Sequence, residues 1–209
     1  MASCSSSAEA RRPAAARTTF ADLMRRSRFP DDLRTVAIAG CLAQALDRGC
    51  RPLIRGLTEA EFGRMLLSCF SGLALRNGTE AAGGEEPFDE FDELLAMLLE
   101  HRAEPTQINA WLSCCVASAS LRDQHLWQDM GLPNRATLSR LLASYFPELA
   151  ARNTGDMKWK KFFYRQLCQR AGLVLCKSPN CADCCDFSQC FGPEPALEPA
   201  RRATAAAPG

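Results

Sequence analysis

Residues 157–172 read MKWKKFFYRQLCQRAG and lead into 176–190, CKSPNCADCCDFSQC. The first stretch is an amphipathic helix: Trp159, Phe162, Phe163 and Leu167 share one face, and Lys158, Lys161 and Arg165 run along an adjoining one. With Lys160 and Arg170 it carries five cations and no acid from Met157 to Arg170. Cations on such a helix most often solvate it, and these aromatics read as core anchors rather than base-stacking platforms. The second stretch holds five of the chain's twelve cysteines. Four of them, spaced Cys-x4-Cys-x2-Cys-x5-Cys at 176, 181, 184 and 190, can converge on one centre because short loops close at small entropic cost. Thiolate is a soft donor, which favours zinc, copper(I) or an iron-sulfur core over magnesium or calcium. Structural zinc usually takes two separated Cys-x2-Cys knuckles, and only Cys181 and Cys184 form one here. A single wrapping loop is the habit of ferredoxin-type runs, and Pro179, Asn180, Asp183 and Asp186 are turn formers that suit it. Spacing alone leaves an iron-sulfur core, zinc and ligand-free or disulfide-bonded thiols open.

Working back from this loop, the chain reads as helix after helix, with no alternating β-branched run, and the fold class is all-α. A short helix covers Phe20 to Arg26. Pro30 suits a helix start ahead of Leu33, Val36, Ile38, Cys41 and Leu42, and Gly49 ends that helix. Thr58 to Glu61 is a capping box, followed by an apolar face of Phe62, Met65, Leu66, Cys69 and Phe70. Asn77-Gly78 and Gly83-Gly84 mark a loop. Residues 80–104 carry nine acids against one arginine, a solvated face in which Asp89 and Glu90 complement the dipole of a helix through Leu94 and Leu98. Pro105 opens the next helix, whose small residues at 113–120 permit close packing, and Cys41, Cys69, Cys114 and Cys115 read as core. Gly131 terminates a helix, Asn134 caps another and Pro147 interrupts it. Residues 1–17, with Cys4, and 193–209 have too little to bury and read as a disordered head and tail; 18–175 is a single helical domain and 176–192 its cysteine-rich loop.

The motif from Met157 to Cys168, then Gly172, the cysteine run and Cys-Phe-Gly at 190–192, together with HLWQDMGLP at 125–133, resembles the NifQ family of nitrogen-fixation proteins. The likeness runs from about Trp111 to Gly192. It implies a carrier that binds a molybdenum-iron-sulfur cluster and donates molybdenum, drawn from molybdate, for assembly of the nitrogenase iron-molybdenum cofactor. The ligands it implies are Cys176, Cys181, Cys184 and Cys190. Cys185 departs from the family pattern and leaves open which of two neighbouring thiols ligates. Cys168 and His125 are alternates, although a lone histidine beside a tryptophan is more often a hydrogen-bonded structural residue, and His101 is a weaker candidate still. The recipient it implies is the cofactor scaffold NifEN, acting with the iron protein NifH.

A formal net charge of +1 gives no global reason to expect nucleic acid. No apolar run is long enough to span a membrane, and closely spaced free thiols suit a reducing cytoplasm. No Ser-His-Asp set, paired carboxylates or Gly-rich phosphate loop marks an enzyme. Lys158, Lys161 and Arg165 can draw in a tetrahedral oxyanion such as molybdate, while Arg170 and Lys177 offset the negative end of the helix dipole near the thiolates. The alternative is a zinc-stabilised helical module for interaction or nucleic-acid binding that uses the basic helix.

Overall fold

The computed structural model of the chain describes residues 18–78, 90–172 and 187–194. The head with Cys4, the acidic loop with Gly83-Gly84 and Asp89, most of the cysteine run and the tail from 195 lie outside the described residues. Among the described residues there are ten helices and no strand: α1 Phe20–Arg25, α2 Leu33–Asp47, α3 Glu59–Cys69, α4 Phe91–Glu100, α5 Gln107–Ser120, α6 Leu126–Asp129, α7 Arg135–Tyr145, α8 Pro147–Arg152, α9 Trp159–Arg170 and α10 Phe187–Phe191. Two chain segments meet in a single isolated bridge, Ser27 to Phe70. Among the described residues, no helix is long and apolar enough to cross a membrane.

Local chemistry sets most helix ends. The Thr58–Glu61 capping box forms as expected, and a second one, Thr19 with Asp22, starts α1. Asn134 accepts from the Thr137 amide at 2.9 Å, Pro147 opens α8, and Gly49 and Gly131 take the left-handed conformation after their helices. Three starts differ from the sequence expectation. Pro30 lies ahead of α2, which begins after Asp32, because that carboxylate caps the Arg34 amide at 2.8 Å. Pro105 likewise precedes the cap Thr106 rather than opening α5. Glu90 is the cap of α4, so Asp92 and Glu93 are its first-turn acids.

Helix α5 is the centre. It packs against α2, α4 and α6, and from Trp111 to Ser120 every residue is buried. Two of its serines bond within the helix, Ser113 donating to the Asn109 carbonyl at 2.9 Å and Ser120 to that of Val116 at 2.8 Å, while Ser118 accepts from the Arg55 amide at 3.0 Å. Cys41, Cys69, Cys114 and Cys115 are buried, as read from the sequence. Burial pushes the Cys69 thiol up to about 11 and that of Cys114 up to about 12, so both stay protonated at neutral pH.

Two features seat α6 on this core. Gly40 in α2 lies against the turn after α6: a Cβ there would stand 2.2 Å from the Met130 carbonyl oxygen. Asp129, at the end of α6, is 0 % exposed. Its Oδ1 lies 2.7 Å from Arg48 Nη1, its Oδ2 pairs with Lys160 Nζ and accepts from the Gln124 amide at 3.0 Å, and its carbonyl accepts from Arg122. One carboxylate thereby joins α2, the α5–α6 link and α9.

Two variants test this seating. Gly40→Ala must displace backbone rather than a flexible side chain, and chemical denaturation should show a loss of about 1–3 kcal/mol. Asp129→Asn removes one partner of a buried pair and should cost about 3–5 kcal/mol. Burial holds Lys160 below its ordinary 10.5, with Asp129 opposing the shift. A lowered lysine pKa means the unfolded chain binds more protons between the folded and unfolded values. The deficit caused by Asp129→Asn should therefore shrink as pH rises toward 10.5, a trend that further replacement of Lys160 by Met should abolish.

Candidate metal centre

Of the four ligands implied by the sequence, Cys190 is described; Cys176, Cys181, Cys184, the alternate Cys185 and Lys177 lie outside the described residues. Cys190 sits in α10, half-buried, and together with Phe191 it packs on the hydrophobic core. Its carbonyl accepts from the Lys158 amide at 2.8 Å, and Phe191 lies against Gly155. The last cysteine of the run is thus held beside the first turn of α9.

A clasp holds it from the other side. Glu194 follows α10, and its carboxylate is 9 % exposed. Oε2 accepts from the Trp127 indole at 2.6 Å, Oε1 accepts from Arg135 at 2.8 Å, and His125 Nδ1 lies 3.6 Å from Oε1. Charge-assisted bonds of this kind are roughly twice as strong as neutral ones. Arg135 also donates to the Asp156 carbonyl at 2.7 Å and pairs with its carboxylate at 2.8 Å. Asp156 adopts φ 51, an unfavourable region for a residue with a side chain, and this bonding holds it there at the turn into α9. Asn153 closes the same turn with two 2.9 Å bonds to the Met157 backbone.

The cations of α9 separate by role. Lys160 is half-buried and committed to Asp129 and to the Arg122 carbonyl. Arg170 pairs with Glu100 on α4. Lys161 is exposed, and Lys158 Nζ makes a 3.3 Å bond to the Ser188 carbonyl. Trp159, Phe162 and Phe163 are buried and packed on one another, Trp159 and Phe162 edge to face at 5.7 Å, and the Trp159 indole donates to Ser139 at 3.0 Å. They are core anchors, as read from the sequence.

Lys158, Lys161, His125, Gln189 and Glu194 line a common cleft of about 250 Å³, together with Asp123 and Trp127. Cys168, further along α9, is half-buried and does not line it. His101 is a structural residue, with Nδ1 2.9 Å from Glu148. Among the described residues no three His, Cys, Asp or Glu side chains gather in a metal-binding arrangement. Sequence reasoning missed Glu194, Arg135 and the pairing of Asp129 with Lys160. The one available signal was an acid inside the largely apolar LWQDMGL stretch.

If the clasp seats Cys190, Glu194→Gln should raise amide hydrogen exchange across 187–194, alter Trp127 emission and cost about 1–3 kcal/mol of stability. Unchanged exchange and emission would show that the segment is held without it.

The NifQ family model matches residues 36–192. The chain is 38 % identical over 159 residues to Protein NifQ of Azotobacter vinelandii, covering 69 % of this chain and 80 % of that protein. It is 36 % identical over 178 residues to Protein NifQ of Rhodobacter capsulatus, covering 79 % and 98 % respectively. A third relative, the Protein NifQ homolog of Sinorhizobium fredii, is 43 % identical over 138 residues, 66 % of this chain and 60 % of that protein. No solved structure matches significantly. With the matched span reaching from α2 to the end of α10, this chain belongs to the NifQ family.

Proposed function

We propose that the protein is a non-enzymatic carrier whose cargo is a molybdenum-containing iron-sulfur cluster. The cargo is held by Cys176, Cys181, Cys184 and Cys190 and surrendered for assembly of the nitrogenase iron-molybdenum cofactor. Membership of the NifQ family supports a role in nitrogen fixation. The observation that carries the finer reading is the placing of Cys190 on the Lys158 amide and behind the Glu194 clasp. The backbone of one proposed ligand is thereby fixed on the helical scaffold.

That arrangement suits loading and release. A thiol ligates as thiolate, and nearby cations favour that form. Lys158 and Lys161 stand beside the Cys190 segment and, among the described residues, lack the ion pairs that Lys160 and Arg170 make. A ligand set carried mostly by one loop opens at less cost than one drawn from several core helices. The core thiols do not compete for the cargo, since Cys69 and Cys114 are protonated and buried. The recipient in this reading is the NifEN scaffold with NifH. Burial of Trp159, Phe162 and Phe163 removes the stacking platform that the nucleic-acid alternative would use.

Anaerobic reconstitution with iron, sulfide and molybdate tests the reading. Brown protein containing iron and molybdenum is expected, with both metals lost on Cys→Ala change at 176, 181, 184 or 190 and retained at 185. A colourless product with a single bound zinc would overturn it. Loss at 185 with retention at 184 would reassign that ligand.

A further inference from the structure

Helix α3 buries Phe62, Met65, Leu66 and Cys69 and turns Ala60, Gly63, Arg64 and Leu67 away from the core. Leu67 is 71 % exposed, more than any other large apolar side chain among the described residues. A single exposed leucine needs no explanation, but Gly63, one turn before it, does. Its backbone is helical, so no left-handed conformation calls for glycine, and a Cβ there would meet nothing within 4 Å among the described residues. Gly40 is the opposite case, since its missing Cβ makes room for the Met130 carbonyl. At Gly63 the fold has room for alanine, which would also stabilise the helix, because glycine in a helix interior costs backbone entropy. A glycine that the monomer does not need, beside a leucine that it does not bury, marks a face shaped for close approach by another helix.

The two ends of this face carry opposite charge. Glu59 and Glu61 stand in the first turn, and their contacts with cations are long, 3.6 Å from Glu59 to Arg76 and 4.0 Å from Glu61 to Arg64. At the other end, residues 26–28 run beside 69–71: the Arg28 amide donates to the Cys69 carbonyl at 2.9 Å and the Ser71 amide to that of Arg26 at 2.7 Å. Arg26 and Arg28 are both exposed there. Their guanidinium groups meet the neutral carbonyls of Gly72 and Phe70 and make no ion pair among the described residues. Phe29, 52 % exposed, follows directly.

We propose that the outer face of α3 is a self-association surface, on which a second copy of this chain packs its own α3 antiparallel about a two-fold axis. In such an interface every contact occurs twice with the roles exchanged. With the axis between Gly63 and Arg64, Leu67 of one copy lies over Ala60 of the other, and Arg64 crosses the open backbone at Gly63. The acidic first turn of each helix then meets Arg26 and Arg28 at the end of its neighbour, whereas a parallel pairing would set acid on acid. That self-complementary charge pattern selects a second copy over an unrelated partner. Antiparallel helix dipoles act in the same sense. One helix face with its flanks lies at the low end of specific interface sizes, so the dimer is reversible rather than obligate. This face contains no residue of the cysteine run or of the cleft beside Cys190, and it stands whether or not the protein carries a cluster.

Sedimentation velocity on the full-length, reduced protein over a range of concentrations tests the surface. A monomer–dimer equilibrium is expected, weakened at least about tenfold by Leu67→Glu. Gly63→Ala separates fold from interface, since it should raise the Tm while weakening the dimer. Joint Arg26→Glu and Arg28→Glu change should weaken the homodimer, and so should Glu59→Lys. Mixing those two variants should restore dimers, because every crossed pair is then opposite in sign. Circular dichroism verifies that each variant is folded. A protein that stays monomeric up to about 1 mM overturns the proposal. So does a dimer that withstands both Leu67→Glu and Gly63→Ala, or one lost on joint Cys→Ala change at 176, 181 and 184, which would move the association to the cysteine run. Charge variants that fail to rescue one another overturn the antiparallel arrangement.

Discussion

Asp129 places a full negative charge where there is no solvent to stabilise it, and the surrounding helices are arranged to supply what water would have provided. Removing an ion from water costs several kcal/mol even after relaxation, and that penalty is offset only when partners are close and well placed. Here the partners of the carboxylate are Arg48 at the end of α2, the Gln124 amide in the link after α5, and Lys160 in α9. Because they come from separate parts of the chain, satisfying the carboxylate fixes where those parts stand. Once Lys160 is turned inward to reach Asp129, its neighbours Lys158 and Lys161 are left along the cleft beside Cys190. The buried charge thus sets the electrostatics of the site without belonging to its chemistry.

The cysteines divide by environment. Cys41, Cys69, Cys114 and Cys115 are small core residues around α5; burial raises the thiol pKa of Cys69 and Cys114, and the hydrogen bond with Cys41, together with burial, raises that of Cys115. Cys190 sits at the edge of the same core, with its backbone bonded to α9. A thiol that stays protonated in a packed interior is a poor metal ligand, because the thiolate is the ligating form.

The Glu194 clasp shows how far function can extend past a motif boundary drawn on composition. The Pro-rich and Ala-rich stretch after Gly192 reads as a tail, yet its second residue accepts from Trp127 and from Arg135. Both donors lie in or next to HLWQDMGLPNR, a stretch with no metal-ligating pattern beyond its single histidine. In the fold that stretch serves twice, Asp129 holding α9 and Trp127 holding the end of the cysteine segment. Arg135 adds the turn through Asp156, so the entry to α9 and the exit from α10 are fastened together.

What was legible in the sequence was whatever is local. Helical periodicity gave the all-α class, the capping boxes and glycines gave most ends, and the crowding of soft donors at fixed spacing pointed to a metal, because each signal depends on residues a few positions apart. Even the misplaced helix starts at Pro30 and Pro105 erred by only two or three residues, with Asp32 and Thr106 occupying the cap positions instead. Tertiary structure alone decided which of five similar cations turns inward, that Gly40 must yield its side chain to the Met130 carbonyl, and that Glu194 meets Trp127 across 67 positions. A charge is placed by the partners within a few ångströms of it, and here those partners come from helices far apart in the chain.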